Sequence, residues 1–194
     1  MLHHAYYIFD HKKKKMLLGE AELACLYGYT VEEIRALPEG WSSLVHPEDR
    51  AAHDELVSEL LACDDDRVIA IKLRIRSKSG AWEWIACNRR PYERDAKGRV
   101  ISEIGAVQII TRLVETNAAL RDSEARYRTI FEQAADAIWI VDRDGLIRDA
   151  NPQMCQRLGY GREELIGMQM LDTIPKERHA RARQIIASAR ESGG

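Results

Sequence analysis

The chain has 194 residues, of which 45% are hydrophobic and 31% charged, a balance typical of a globular protein with a packed core. Its formal net charge of −2 gives no overall positive field, so nucleic acid is not expected as a partner. No apolar run approaches the roughly 18 residues that span a bilayer, and the first residues lack a signal-peptide profile. We therefore expect a cytoplasmic chain without a membrane span.

The four cysteines show neither CxxC spacing nor a Cys/His ligand pattern. They are Cys25, Cys63, Cys87 and Cys155. This spacing predicts four buried thiols that act as small hydrophobic side chains, and no metal site.

An internal repeat organises the chain. The pattern Gly-Tyr-x-x-Glu-Glu occurs at 28–33 and again at 159–164, and recurrence at a distance indicates a duplicated structural unit. A hairpin pattern precedes each copy: apolar segments 6–9 and 16–18 flank a polar loop, and segments 137–141 and 146–147 flank an Asp-Gly turn. A helical stretch follows each copy, at 48–62 and 176–190.

Only the first copy continues into strands of alternating polarity. Three such segments, 67–76, 81–92 and 99–110, are separated by turns. The order hairpin, helices, three-stranded meander predicts an α+β fold with a five-stranded antiparallel sheet and helices on one face. The second copy reaches residue 194 without its meander, so we expect only the N-terminal part of a second domain.

These motifs carry a family resemblance. Residues 28–33, the segment Trp-Ser-Ser-Leu-Val-His-Pro-Glu-Asp-Arg at 41–50, and Arg74 to Gly80 with Trp84-Ile85 resemble the PAS fold, of the fold-3 subtype. Residues 126–138 and 142–145 with Asn151-Pro152 resemble the opening of another PAS domain.

The resemblance implies the sensory region of a bacterial signalling protein, such as a sensor histidine kinase or a diguanylate cyclase. It predicts a complete PAS domain at 1–112, a helical linker at 111–134, and the start of a second PAS domain at 123–194. No phosphate-binding glycine loop, His-Glu-x-x-His or Gly-Gly-Asp-Glu-Phe motif occurs, so we expect no enzymatic activity in this chain. A kinase or cyclase output domain is expected beyond Gly194, and the alternative is a ligand-free dimerisation adaptor.

The predicted linker carries a three-four repeat. Its positions are Ile110, Leu113, Asn117, Leu120, Glu124, Tyr127 and Phe131. Such spacing is typical of a coiled-coil seam, in which a buried Asn fixes the register, so it predicts a parallel homodimer. The alternative is that the same stripe packs on its own PAS domain. The resemblance places an Asp-Ile-Thr motif at the start of this linker, where the chain has Ile109 instead of the acid, and Thr111 is expected to cap the helix.

Ligand candidates lie on the helix at 48–62 and on the central strand. They are His53, Leu56, Trp82, Trp84, Cys87 and Asn88. Flavin-binding relatives carry a reactive cysteine shortly after the Gly-Tyr-x-x-Glu-Glu motif, and neither copy has one there. His53 and His179 do not stand at the distance from the helix-starting proline at which haem-binding relatives carry their axial histidine. We therefore expect neither flavin nor haem, and the sequence leaves open whether the domain binds a small molecule or is empty.

Overall fold

The structure is a computed structural model and describes residues 4–192. The chain forms two compact units, Met1–Asn117 and Ala118–Gly194. Within the described residues, none of the helices is both long enough and apolar enough to cross a lipid bilayer.

The first unit contains one antiparallel sheet with the strand order β2-β1-β5-β4-β3. This confirms the predicted α+β fold with five antiparallel strands. The strands are β1 (His4–Asp10), β2 (Lys15–Leu18), β3 (Ile69–Arg76), β4 (Trp82–Arg94) and β5 (Val100–Ile109).

Three helices cover one face of this sheet. They are α1 (Glu20–Leu26), α2 (Val31–Arg35) and α3 (Arg50–Ala62). Alternation along the strands places the apolar residues on the covered face, where they form one core with the helices. Its buried members are Ala5, Tyr7, Leu23, Ala24, Tyr27, Ile34, Leu44, Val45, Leu73, Ile75, Ile85, Cys87 and Val107.

The start of α3 is fixed to β3 by charge. A 3-10 turn at Pro47–Asp49 leads into α3, and the Asp49 carboxylate accepts the backbone N–H of Arg74 at 2.8 Å and two of its guanidinium N–H groups at 3.0 and 2.7 Å. Glu48 accepts a further guanidinium N–H at 2.8 Å. The Pro-Glu-Asp motif therefore attaches α3 to the sheet through charge-assisted hydrogen bonds.

Helix α4 runs from Thr111 to Gln133. The elements after it are β6 (Trp139–Val141), β7 (Ile147–Ala150), α5 (Pro152–Leu158), α6 (Arg162–Leu165) and α7 (His179–Ser192). β6 and β7 form an antiparallel pair, and Ile147 and Leu165 are fully buried in the core of this second unit.

Asn151 organises the second unit. Its side chain is fully buried. The amide oxygen accepts the backbone N–H groups of Ile138 and Met154, each at 2.9 Å. The amide nitrogen donates to the carbonyl oxygens of Phe131 at 3.1 Å and Asp136 at 2.8 Å. One side chain therefore joins the last turn of α4, the next loop, the start of the hairpin and the start of α5.

The prediction of four buried cysteines is wrong in part. Cys87 is buried and Cys25 is exposed, whereas Cys63 and Cys155 are half-buried. Helix α1 turns Leu23 and Ala24 toward the core, and Cys25, rotated by a further ~100° about the helix axis, lies on the solvent side.

Candidate functional site

A cavity of about 270 Å³ lies in the first unit between the covered face of the sheet and the helices. Most of its wall is apolar or aromatic. These residues are Phe9, Met16, Leu23, Tyr27, Trp41, Val45, Val57, Leu73, Ile75, Ile85 and Val107. The remaining wall residues are polar or carry a thiol or hydroxyl: Tyr7, His11, Ser42, His53, Asp54, Cys87, Arg89 and Glu103. An apolar cavity with a few convergent polar groups is the usual form of a small-molecule site.

Glu103 is the centre of the polar groups. The Tyr7 hydroxyl donates to Glu103 Oε1 at 2.8 Å, and His11 Nε2 lies 2.9 Å from Oε2. The Arg89 guanidinium lies 3.7 Å from Oε1, within ion-pair range but beyond hydrogen-bond distance. The carboxylate is thus buried together with a counter-ion and two hydrogen-bonding partners.

These neighbours determine which of the titratable side chains on the cavity wall are charged. Burial alone would raise the pKa of Glu103, but the hydrogen bond with His11, the Arg89 charge and the Tyr7 hydroxyl outweigh it and lower that pKa. Burial is the main cause that raises the pKa of Tyr7 well above its ordinary value. Burial and, second, the Arg89 charge lower the pKa of His53. At neutral pH the site therefore holds a carboxylate, a neutral phenol and a neutral His53.

Gly105 makes the Tyr7–Glu103 contact possible. Tyr7 pairs with Gly105 across β1 and β5, and a Cβ at position 105 would lie 2.3 Å from the Tyr7 ring. Because Gly105 has no side chain, the Tyr7 ring lies over β5 at this position, and its hydroxyl reaches Glu103 on the same strand.

Arg89 makes few hydrogen bonds for a guanidinium, which carries five N–H donors. Its side chain is 11% exposed. Among the described residues, the guanidinium makes one hydrogen bond, from Nε to Cys87 Sγ at 3.2 Å. A thiol sulfur is a weak acceptor. Most of the guanidinium donors of Arg89 therefore have no strong acceptor among the residues that the structure describes.

Two of the six ligand candidates predicted from the sequence, His53 and Cys87, lie on the cavity wall. The other four do not belong to the residues that line it: Leu56, Trp82, Trp84 and Asn88. Leu56 packs in a second cluster with Leu60. The remaining three alternate with Cys87 along β4 and so point to the opposite face of the sheet; Trp82 is 39% exposed there.

The sequence analysis missed Tyr7, His11, Arg89 and Glu103. A signal for Arg89 and Glu103 was present. Arg89 is two residues from Cys87, and Glu103 is four residues from Val107, so each has the strand parity of a core residue and had to point inward. Tyr7 and His11 required the register of β1 against β5, which no local pattern provides.

The strand that lines the cavity also holds the start of α4. The backbone N–H of Ile110 donates to the Trp84 carbonyl oxygen at 2.7 Å, and Trp84 N–H donates to Thr111 Oγ1 at 2.9 Å. Thr111 Oγ1 in turn donates to Glu83 Oε2. The expectation that Thr111 caps its own helix is therefore wrong, because Thr111 is the first helical residue and its hydroxyl binds β4 instead.

The positions of the predicted coiled-coil seam, 110–131, differ in their exposure to solvent. Its ends, Ile110 and Phe131, are buried, whereas Leu113, Leu120 and Tyr127 are 60%, 55% and 48% exposed. Every residue from 115 to 130 is exposed, including Asn117 and Glu124. Large apolar side chains therefore lie uncovered along the middle of the helix.

Among residues 4–192, no group of three or more His, Cys, Asp or Glu side chains lies close enough together to hold a metal ion.

Comparison with known proteins gives two family matches. Models described as PAS fold match residues 125–194 and residues 20–107. A curated relative from Methanosarcina acetivorans, "Methyl sulfide methyltransferase-associated sensor", is 36% identical over 81 residues, which is 41% of this chain and 8% of that protein. "Sensor histidine kinase TmoS" from Ectopseudomonas mendocina is 32% identical over 83 residues, 43% of this chain and 8% of that protein. The matched segments thus span less than a tenth of these two relatives.

A solved structure shares the fold. The sensory box histidine kinase/response regulator of Burkholderia thailandensis superposes with a TM-score of 0.52 at 23% identity, over 65% of this chain and 91% of that one.

Proposed function

Since the chain belongs to the PAS family, we propose that it is a sensory module that passes a signal from its first domain through α4 to an output domain. The relatives named as a sensor and as a sensor histidine kinase support a sensory signalling role. The output domain proposed here is a histidine kinase or a cyclic-dinucleotide enzyme, encoded beyond Gly194, and the present chain is proposed to carry no catalysis.

One observation carries this proposal: β4 serves both the cavity and the helix. Ile85 and Cys87 line the cavity, while the adjacent Trp84 binds Ile110 and Thr111 through its backbone. Packed interiors transmit small displacements because they contain little free space. A change of cavity contents that moves β4 is therefore expected to move the first turn of α4.

The far end of α4 is attached in a similar way. The Asn151 amide holds the carbonyl oxygen of Phe131 in the last turn, so a displacement of the helix is expected to reach the β6–β7 hairpin, whose first strand follows Ile138. The helix thus has a hydrogen-bonded attachment near each end.

The middle of α4 supports a dimeric form of this relay. Leu113, Leu120 and Tyr127 are exposed in the single chain, and burying such side chains is favourable by about 25 cal/mol per Å² of apolar surface. We propose that two copies pair in parallel along this stripe, with Asn117 setting the register. Since these side chains are uncovered, the alternative in which the stripe packs on its own domain has less support.

The relay is tested by filling the cavity. Val57 lines it from α3, and Val57→Phe places a larger side chain there; Val68→Phe makes the same change at a position that is 62% exposed. Hydrogen exchange read by mass spectrometry is expected to change in the first turns of α4 for Val57→Phe and to stay unchanged for Val68→Phe. Altered exchange around the cavity with no change in α4 contradicts the relay and favours a dimerisation adaptor without sensing.

The output domain is tested separately. The coding sequence is expected to continue past Gly194 through the missing strands of the second PAS domain into a kinase or cyclase domain. A stop codon directly after Gly194 contradicts this part of the proposal.

A further inference from the structure

From the cavity of the first unit we infer that its ligand is a small neutral aromatic molecule that carries a strong hydrogen-bond acceptor, such as a carbonyl oxygen, directed at Arg89. The inference rests on the proposed sensory function and names the chemical class of the signal.

The cavity has room for about one ring with a short substituent. Its volume is about 270 Å³, and an engineered cavity of about 150 Å³ is enough to bind benzene. Aromatic side chains form part of the wall: Tyr27 and Trp41 meet edge to face at 6.4 Å between ring centroids, and Phe9 also lines the cavity. Aromatic rings prefer such offset and edge contacts, so this wall suits a ring.

The requirement for an acceptor comes from Arg89. Its guanidinium lies on the cavity wall, and among the described residues its hydrogen bonding is limited to the weak acceptor Cys87 Sγ. Glu103 does not take up the remaining donors, since its shortest distance to Arg89 is 3.7 Å. Its own oxygens are engaged by Tyr7 and His11. A ligand oxygen is the group that would complete the Arg89 hydrogen bonding.

The requirement for neutrality comes from the balance of charge. Arg89 faces one carboxylate, that of Glu103, and the second acid on the wall, Asp54, has a side chain that is 79% exposed, so water screens its charge. An anionic ligand would bring another negative charge next to buried Glu103, where like charges repel strongly because the local dielectric is low. A neutral acceptor uses the Arg89 donors without this repulsion.

The test compares three probes of similar size on the purified wild-type chain by isothermal titration calorimetry. Acetophenone has a ring and a carbonyl, ethylbenzene has the same shape without the acceptor, and benzoate has an anionic acceptor. Acetophenone is expected to bind at least about tenfold more tightly than ethylbenzene, the ratio given by one hydrogen bond to a charged donor. It is also expected to bind more tightly than benzoate.

Two variants assign the difference to Arg89. Arg89→Met is expected to reduce acetophenone affinity to that of ethylbenzene, while Arg90→Met, at the exposed neighbouring position, leaves it unchanged. Since Arg89→Met deprives Glu103 of its counter-ion, the double variant Arg89→Met/Glu103→Gln is measured beside it. If neither variant folds, the comparison of probes on the wild type decides.

Three outcomes overturn the inference: equal affinity for acetophenone and ethylbenzene, tighter binding of benzoate, or no binding of any probe. Equal binding of the two neutral probes leaves the proposed sensory function intact, because the cavity then still accepts ligands. The relay has its own readout, the exchange of α4 in Val57→Phe, so its failure is seen independently of ligand chemistry.

Discussion

The backbone N–H of Trp84 in β4 donates to the hydroxyl oxygen of Thr111, the first residue of α4, at 2.9 Å. This bond connects β4, a strand whose residues line the cavity of the first PAS domain, to the helix that leaves that domain.

Removing the Thr111 hydroxyl is expected to loosen the start of α4. Thr111→Val deprives Trp84 N–H of its acceptor, and losing the partner of a half-buried backbone donor costs about 1–3 kcal/mol. Hydrogen exchange in the first two turns of α4 should become faster, and Thr111→Ser should restore the wild-type rate. Thr116→Val makes the same change at an exposed position of the same helix. Equal exchange in the two Val variants would show that the junction does not hold the helix.

Adding one methyl group at Gly105 is expected to displace Tyr7. The new Cβ would lie 2.3 Å from the Tyr7 ring, and overpacking of this kind costs about 1–3 kcal/mol. The Tyr7–Glu103 hydrogen bond should be lost with it. Urea denaturation of Gly105→Ala, Tyr7→Leu and the double variant measures the coupling, since contacting residues are not additive. The Ala substitution should cost less when position 7 is Leu, and strictly additive costs would contradict the contact.

The pairing of Asp49 with Arg74 predicts a specific acid sensitivity. The hydrogen bond with Arg74 lowers the pKa of Asp49 below its ordinary value. A carboxyl group with a lowered folded-state pKa stabilises the fold above its unfolded-state pKa of about 3.9, and this contribution is lost as pH falls through the lowered value.

The melting temperature of the wild type should therefore decrease once the pH is lowered below about 4. Asp49→Asn is already less stable at pH 7, and its melting temperature should decrease less steeply over the same pH range. Asp64→Asn, at an exposed position without an ion pair among the described residues, should behave as the wild type. A wild-type acid profile in Asp49→Asn would remove Asp49 from the explanation.

Asn151 is expected to be essential for the second unit. Asn151→Ala leaves the backbone N–H of Ile138 and two carbonyl oxygens without their side-chain partner, whereas the Met154 N–H keeps the Asn151 backbone oxygen as an acceptor. Each buried unsatisfied group costs about 1–3 kcal/mol. The expected loss is at least about 3 kcal/mol, seen as fast hydrogen exchange over residues 131–154. Gln153→Ala, at an exposed neighbouring position, provides the control. Protected amides over this segment in Asn151→Ala would contradict the assigned role.

The sequence predicted the fold far better than the cavity. Alternation in 67–76 and the repeated Gly-Tyr-x-x-Glu-Glu motif define strands and helices locally, and the five-stranded sheet followed from their order. The cavity depends on which face of β4 each side chain occupies. Trp82, Trp84 and Asn88 differ in parity from Cys87, so these residues could not line one wall together.

Other parts of the site depend on long-range pairing. Tyr7 reaches Glu103 only because β1 lies beside β5 with Gly105 opposite Tyr7, a register that the two distant segments do not encode separately. The partners of the Thr111 hydroxyl also depend on a contact between distant segments. Its residue type suits a helix cap, but the proximity of β4 gives its hydroxyl other partners.

Native mass spectrometry of the purified chain tests the central claim, the dimeric relay helix, most directly. The wild type, of 22.2 kDa per chain, is expected as a dimer. Leu120→Glu, which places a charge in the exposed stripe of α4, is expected as a monomer, while Arg121→Glu at the adjacent exposed position stays dimeric. A wild-type chain that is monomeric at micromolar concentration, or a Leu120→Glu variant that remains a dimer, contradicts pairing along α4.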